Sequence, residues 1–203
     1  MSGKLRVGVL ISGRGSNLQS LIDACAAKDF SAEIVLVISN VATAYGLERA
    51  RAAGIPTAIV EHKKFSSREA FDAALDEALE KAGAELVCEA GFMRIHSEGF
   101  VRKWLGRIIN IHPSLLPAFK GMHVHEQAIA AGVKVSGCTV HYVTPELDSG
   151  PIILQAEVTV LPGDTPNTLG ARVLEKEHEL YPQALKLIAE GRVRLENGTV
   201  VRT

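Results

Sequence analysis

Leu5-Arg-Val-Gly-Val-Leu-Ile-Ser12 runs directly into Gly13-Arg-Gly-Ser-Asn17, and residues 18–27 follow. The first segment is almost continuously apolar, as a strand covered on both faces must be. The second is turn chemistry, rich in glycine and short polar side chains. In the third, Leu18, Leu21, Ile22 and Cys25 recur at helical spacing. Strand, turn and helix in that order recur along the first half of the chain. Residues 33–39 (EIVLVIS) read as a second buried strand, 44–53 as a helix ended by Gly54-Ile-Pro56, and 57–60 as a short third strand. A helix over 67–82 opens with Ser66, Ser67 and Glu69, as an N-capped helix should, and stops at Gly83. Residues 85–89 and 108–111 read as two more strands, with a short helix over 97–105 between them. Such alternation argues a parallel sheet with helices over it.

The pattern changes after residue 112. Residues 113–122 read as loop, 123–131 as a helix, and 135–143 as a strand with Gly137 inside it. Pro145-Glu-Leu-Asp-Ser-Gly-Pro151 is turn-rich and precedes a strand over 152–160, close enough in sequence to pair antiparallel with its predecessor. A long helix is expected over 165–190, bent near Pro182. The segment 192–202 carries Asn197-Gly198, a strong hairpin signal. The fold class is α/β: a Rossmann-like open sheet, mostly parallel with an antiparallel C-terminal part, and helices on both faces. One domain over 1–203 is expected, made of a parallel half (1–112) and a mixed half (113–203).

Composition excludes several classes. The chain has 203 residues, 47% hydrophobic and 22% charged, with a formal net charge of −1. That is long enough for a substantial core and gives no electrostatic reason to expect nucleic acid or an anionic membrane as partner. Cys25, Cys88 and Cys138 lie far apart in no C-x-x-C pattern, and Cys88 and Cys138 sit inside apolar runs, so buried reduced thiols are expected for those two. Met1-Ser-Gly-Lys-Leu-Arg has no leader layout, and no apolar run approaches a membrane span. A cytoplasmic protein is expected.

Gly13-Arg-Gly-Ser-Asn17 sits where a phosphate-binding turn would sit. Glycines allow close backbone approach, and a helix N-terminus offers free N–H groups to an anion. Leu18 occupies the place of the third glycine of a dinucleotide motif, and no Gly-Lys-Ser/Thr follows. A phosphomonoester therefore suits the turn better than NAD or a triphosphate. The competing reading is a plain βα turn with Ser16 or Asn17 as N-cap.

Asn110-Ile-His-Pro-Ser-Leu-Leu-Pro117 delivers an amide, an imidazole and a hydroxyl where a strand gives way to a proline-bracketed loop. In an open α/β sheet, ligands bind at that edge. Asn110 and His112 are two apart, so they share a face if the strand persists. A carboxamide beside an imidazole suits acyl transfer: one stabilises an oxyanion and the other moves a proton. Asp148 is the carboxylate that could orient and charge the ring, although Asp-Ser-Gly-Pro is also ordinary turn chemistry. His123-Val-His125 lacks the further ligands a zinc site needs, so no metal is expected. His141 could face site or core, His178 is expected on a helix surface, and Tyr142 and Trp104 read as packing residues.

Together these pieces resemble the phosphoribosylglycinamide (glycinamide ribonucleotide) formyltransferases of purine biosynthesis, a branch of the folate-dependent formyltransferase family. The motifs are Gly15-Ser-Asn-Leu-Gln19, Ala90-Gly-Phe-Met-Arg-Ile95, Asn110-Ile-His-Pro-Ser-Leu-Leu-Pro117, Lys120-Gly121 with His123 and His125, and Glu146-Leu-Asp-Ser-Gly-Pro-Ile152. The resemblance implies that Gly15, Ser16 and Asn17 hold the substrate phosphate and that Glu177 binds the ribose or glycinamide end. It implies a catalytic trio of Asn110, His112 and Asp148. The co-substrate, 10-formyltetrahydrofolate, would meet Arg68, Met93, Arg94, Ile95, His96, Asn110, Val143 and Asp148, with no metal. His96 departs from the family's aliphatic residue, and Glu89 from its usual Leu. Partners would be small molecules only, acting on a monomer or homodimer. Competing readings are another folate-dependent formyltransferase or hydrolase, and a phosphate-ligand sensor without catalysis.

Overall fold

The computed structural model describes residues 3–203. The parallel half contains β1 (Leu5–Ile11), α1 (Ser16–Cys25), β2 (Ala32–Ser39), α2 (Gly46–Ala52), β3 (Thr57–Ile59), α3 (Arg68–Lys81), β4 (Leu86–Glu89), α4 (Glu98–Lys103) and β5 (Ile108–His112). The remainder contains α5 (Val124–Ala130), β6 (Val135–Tyr142), β7 (Ile152–Thr159), α6 (Pro166–Ala189), β8 (Val193–Glu196) and β9 (Thr199–Arg202). Seven strands form one sheet in the order β3-β2-β1-β4-β5-β6-β7. β1 to β5 run parallel, whereas β6 is antiparallel to β5 and β7 to β6. This is the mixed α/β sheet expected from the sequence. A helical crossover joins each parallel pair, while the turn-rich segment 143–151 is too short for one and closes an antiparallel pair instead.

The strand order reverses at β1, whose neighbours are β2 on one side and β4 on the other. Two crossovers leave in opposite directions there, so a crevice opens beyond the C-terminal ends of β1 and β4. Each sheet face is covered. Leu18 and Leu21 of α1, Leu47 of α2, Ala128 of α5, and Leu169 and Tyr181 of α6 bury one face together with Val9, Ile11 and Ile109. Phe71, Leu75 and Leu79 of α3, with Phe100 and Trp104, bury the other against Leu10, Val87 and Ile108. Cys88 and Cys138 are buried, and Tyr142 and Trp104 are packing residues as expected.

Local chemistry sets most boundaries. Ser67 caps α3 by accepting from the Ala70 N–H, and Ser97 caps α4 through Phe100. α6 opens with Thr165 and Thr168 in a reciprocal capping box and Pro166 in its first turn. It is one continuous helix through Pro182. Asn197 and Gly198 both have positive φ (49° and 76°), as the two-residue turn between β8 and β9 requires. Sequence periodicity missed the 3₁₀ turn His62–Lys64, which is too short to carry a repeat.

The β1–α1 turn departs from the competing reading of a serine or asparagine cap. The N-cap of α1 is Gly15, left-handed at φ 71°, with no side-chain cap. A Cβ there would lie 2.6 Å from the Cα of Gly46, and the Gly46 N–H donates to the Gly13 carbonyl at 3.0 Å. The turn is thus clamped against the start of α2. Gly15→Ala combines left-handed strain with a backbone clash, so a loss of about 1–3 kcal/mol is expected. Urea unfolding measures it, and an unchanged midpoint would refute the close approach.

Candidate active site

The glycine cap leaves the first N–H groups of α1 without a side-chain acceptor, which suits an anion. Ser16 is the first helical residue. Asn17 is buried, and its Nδ2 donates to Glu177 Oε2 at 3.0 Å. Asn17 Oδ1 is enclosed without a partner, an acceptor waiting for a donor. Burial pushes the Glu177 carboxyl up to about 7, against the opposing bond from Asn17. Arg49 Nε holds the turn through the Arg14 carbonyl at 2.8 Å. An open cavity of about 470 Å³ beside it is lined by Ser16, Gln19, Arg49 and His178, among others. His178 is therefore no plain surface residue: it is half-buried, with Nε2 enclosed and unpartnered.

β5 persists to His112, so Asn110 and His112 do share a face. Cross-strand register carries a polar row along that edge: Glu89 of β4 is the partner of Asn110, and Asn110 of His141. His141, open in the sequence, faces the site. Its Nδ1–H donates to the Tyr142 carbonyl at 2.9 Å, which leaves Nε2 bare as the acceptor for Asn110 Nδ2 at 3.4 Å. Burial lowers its pKa, outweighing the carbonyl and the nearby carboxylates, so the ring stays neutral.

Asp148 arrives from the turn after β6 with φ 48°, a conformation that Asp tolerates better than most residues. Its Oδ2 lies 3.6 Å from His112 Nδ1 and accepts from the Gly121 N–H at 2.8 Å, while Oδ1 lies 3.9 Å from His141 Nε2. His112 Nε2 donates to the Phe119 carbonyl at 2.9 Å. The predicted trio therefore converges, with His141 as a fourth member that strand alternation alone could not assign. His123 is exposed beside Glu126, whereas His125 packs on Gly170. The two rings of His123-Val-His125 diverge.

A second cavity, about 270 Å³, lies between the start of α3 and the segment after β4. Arg68 and Arg94 both line it, with His62, Phe65, Ser67 and Ile95. Two guanidiniums beside a helix N-terminus favour a carboxylate ligand. Met93 and Ile95 stand exposed at 65% and 56%, which offers an apolar wall. The Met93 N–H donates to Ser12 Oγ at 2.8 Å, tying that wall to β1. Val143 donates its N–H to the Ile108 carbonyl, at the next position along the edge.

His96 is placed differently from its neighbours. Its side chain points inward, only 2% exposed. Nδ1 meets Asp72 Oδ1 and Nε2 meets Glu89 Oε1, each at 2.8 Å. The ring stacks between Phe92 and Phe100, with centroids at 5.3 and 4.3 Å. The two residues that depart from the family pattern are thus partners, and Asp72 completes the set. No sequence signal joined them, because 24 positions separate Asp72 from His96.

An open α/β sheet with an uncapped glycine turn and an Asn/His/Asp edge has a direct counterpart among known proteins. Residues 5–185 match the family model described as formyl transferase, and the chain belongs to that family. It is 47% identical to the phosphoribosylglycinamide formyltransferase of Escherichia coli, covering 94% of this chain and 90% of that protein. It is 56% identical to the trifunctional purine biosynthetic protein adenosine-3 of Bos taurus over 97% of this chain, and spans only 20% of that longer protein. The structure of glycinamide ribonucleotide transformylase 1 from Symbiobacterium toebii superposes with TM-score 0.96 at 50% identity, covering 100% of this chain and 95% of that one. Within the family the chain falls with the phosphoribosylglycinamide formyltransferases.

The His96 bridge predicts a pH signature. Burial opposes a charge on the ring, but the bonds to Asp72 and Glu89 outweigh it and lift the pKa to about 9. The folded value exceeds the ordinary 6.5, so this stabilisation is complete below about pH 6.5 and lost as pH rises through about 9. Thermal unfolding midpoints should decline across that window, more steeply than in a Glu89→Leu/His96→Leu variant. Parallel pH profiles for the two proteins would contradict the pairing.

Proposed function

We propose that this chain transfers a formyl group from 10-formyltetrahydrofolate to the amine of phosphoribosylglycinamide, a step of purine biosynthesis. The observation that carries this reading is the convergence of Asn110, His112, His141 and Asp148 in a fold that also carries two unlike candidate ligand sites. One is an uncapped helix N-terminus with Asn17 and Glu177. The other is the cavity that holds Arg68 and Arg94.

Gly15, Ser16 and Asn17 would hold the phosphate through the α1 N–H groups, and Glu177 with the unpartnered Asn17 Oδ1 would take hydroxyl or amine donors of the ribonucleotide. Arg68 and Arg94 suit the carboxylate end of the folate, and Met93, Ile95 and Val143 its apolar ring. The folate supplies an activated formyl carbon. The neutral glycinamide amine forms a C–N bond to it, and the formyl oxygen gains negative charge.

Asn110 has two N–H donors. One is directed at His141 Nε2, which leaves the second for that oxyanion. His112 Nε2–H, turned from the Phe119 carbonyl, is the second donor. Collapse breaks the bond to the folate nitrogen. His112 protonates that leaving nitrogen and recovers a proton from the attacking amine, so the enzyme ends unchanged. Asp148 stabilises the imidazolium form between those steps.

Formyl transfer to the ribonucleotide, assayed against methionyl-tRNA as competing acceptor, tests the substrate assignment; transfer to the tRNA alone would reject it. Asn110→Ala should lower turnover by about 10²–10³, the scale of one lost oxyanion donor. A near-normal rate would remove Asn110 from that role. Glu177→Ala should raise the KM for the ribonucleotide by about tenfold to a hundredfold, the scale of a hydrogen bond to a charged group, with the folate KM little changed. Equal rises in both constants would place Glu177 elsewhere.

A further inference from the structure

We propose that His96 is a positioning residue for formyl transfer: it holds the Glu89 carboxylate away from the neighbouring Asn110 amide. The proposal rests on the functional reading above.

Glu89 is the last residue of β4, and its register partner on β5 is Asn110. Partners on adjacent parallel strands point to the same face, about 4.8 Å apart along the sheet. The next partner in that row is His141. A carboxylate is thus built in beside the amide that must serve an oxyanion. An ionised carboxylate accepts hydrogen bonds only, and a charge-assisted bond outcompetes a neutral one. Left free, Glu89 would draw the second Asn110 N–H to itself and set a like charge beside the developing oxyanion.

The fold prevents this from the other side. His96 Nε2 binds Glu89 Oε1, and Nδ1 binds Asp72 Oδ1. Both nitrogens face carboxylates, so both carry protons. Phe92 and Phe100 sandwich the ring and fix its plane. Asp72 Oδ2 also accepts the Ser97 N–H, at the cap of α4. On the opposite sheet face, Tyr181 OH donates to the carbonyls of Glu89 and Ile109 at 2.9 and 3.2 Å. The strand backbone is pinned there, and only the direction of the Glu89 side chain is left for His96 to decide. With its side chain 2% exposed, His96 does not itself reach a substrate.

The test is a cycle of His96→Leu, Glu89→Leu and the double variant in the full chain, with near-UV circular dichroism to establish folding. His96→Leu should lower kcat by about tenfold or more, with the ribonucleotide KM within about twofold, as for an interaction realised only in the transition state. The double variant should regain most of that kcat, because no carboxylate remains to be restrained. In parallel, the Asn110 side-chain ¹⁵N–¹H signals should shift downfield in His96→Leu and return in the double variant. If His96→Leu does not fold, His96→Met, which likewise offers Glu89 no donor, takes its place with the same expected pattern. Wild-type kcat in the single variant, or a double variant no faster than the single, overturns the inference. Absence of transfer by the wild-type chain overturns the functional reading instead, and the Asn110 signals then judge the carboxylate's position alone.

Discussion

The contact between His112 and Asp148 is the point on which the two parts of the chain agree. His112 ends β5, the last parallel strand, and Asp148 sits in the turn between the antiparallel β6 and β7. A carboxylate with 7% of its side chain exposed needs partners. It finds them in the Gly121 N–H and in the His112 imidazole. Those partners come from β5 and from the loop over 113–122, and Asp148 itself from the turn after β6. Satisfying one buried charge thereby fixes the relative position of three segments. That loop is held from its other end as well, because Thr139 Oγ1 donates to the Ser114 carbonyl and accepts the Leu116 N–H.

Antiparallel β6 is what makes this geometry available. Reversal lays His141 beside Asn110, and because β6 runs from beside His112 to beside Ile109, the turn that follows folds back along β5 before Asp148 reaches His112. Gly150 shows how tightly that return is drawn, since a Cβ there would lie 1.7 Å from the Tyr142 carbonyl oxygen. The turn at 143–151 therefore carries a glycine for space and an aspartate for charge within three residues of each other.

Much of this was legible in the sequence, for identifiable reasons. Continuous apolar runs mark strands buried on both faces, and their alternation with helical spacing gives the parallel half. Asn110, His112 and Asp148 were legible because turn chemistry fixes where strands end. Other features were hidden because they depend on contacts across the fold. Gly15 rather than Ser16 or Asn17 caps α1, since Asn17 is drawn inward by a glutamate 160 positions away. The orientation of His141 depends on which face of β6 is buried where, and β6 has a register irregularity at that residue. Glu89 and His96 looked like two separate departures from a family pattern, yet each is the other's reason: a buried carboxylate beside a buried imidazole satisfies both.

The two candidate ligand sites solve one electrostatic problem in opposite ways. Near Arg68 and Arg94, fixed positive charge faces solvent and can meet a negative ligand directly. Near the glycine turn, by contrast, the buried carboxyl of Glu177 is connected through Asn17 to the anion site. An ionised carboxylate there would repel a phosphate, most strongly where water is excluded. Burial lifts the group to about 7, so near neutrality a large fraction is protonated and that repulsion is relieved. The same burial leaves Asn17 Oδ1 without a donor, and a ligand hydroxyl or amine can supply one. The dry environment that makes Glu177 costly as an anion is also what makes this acceptor pair selective for a ligand carrying phosphate and donors together.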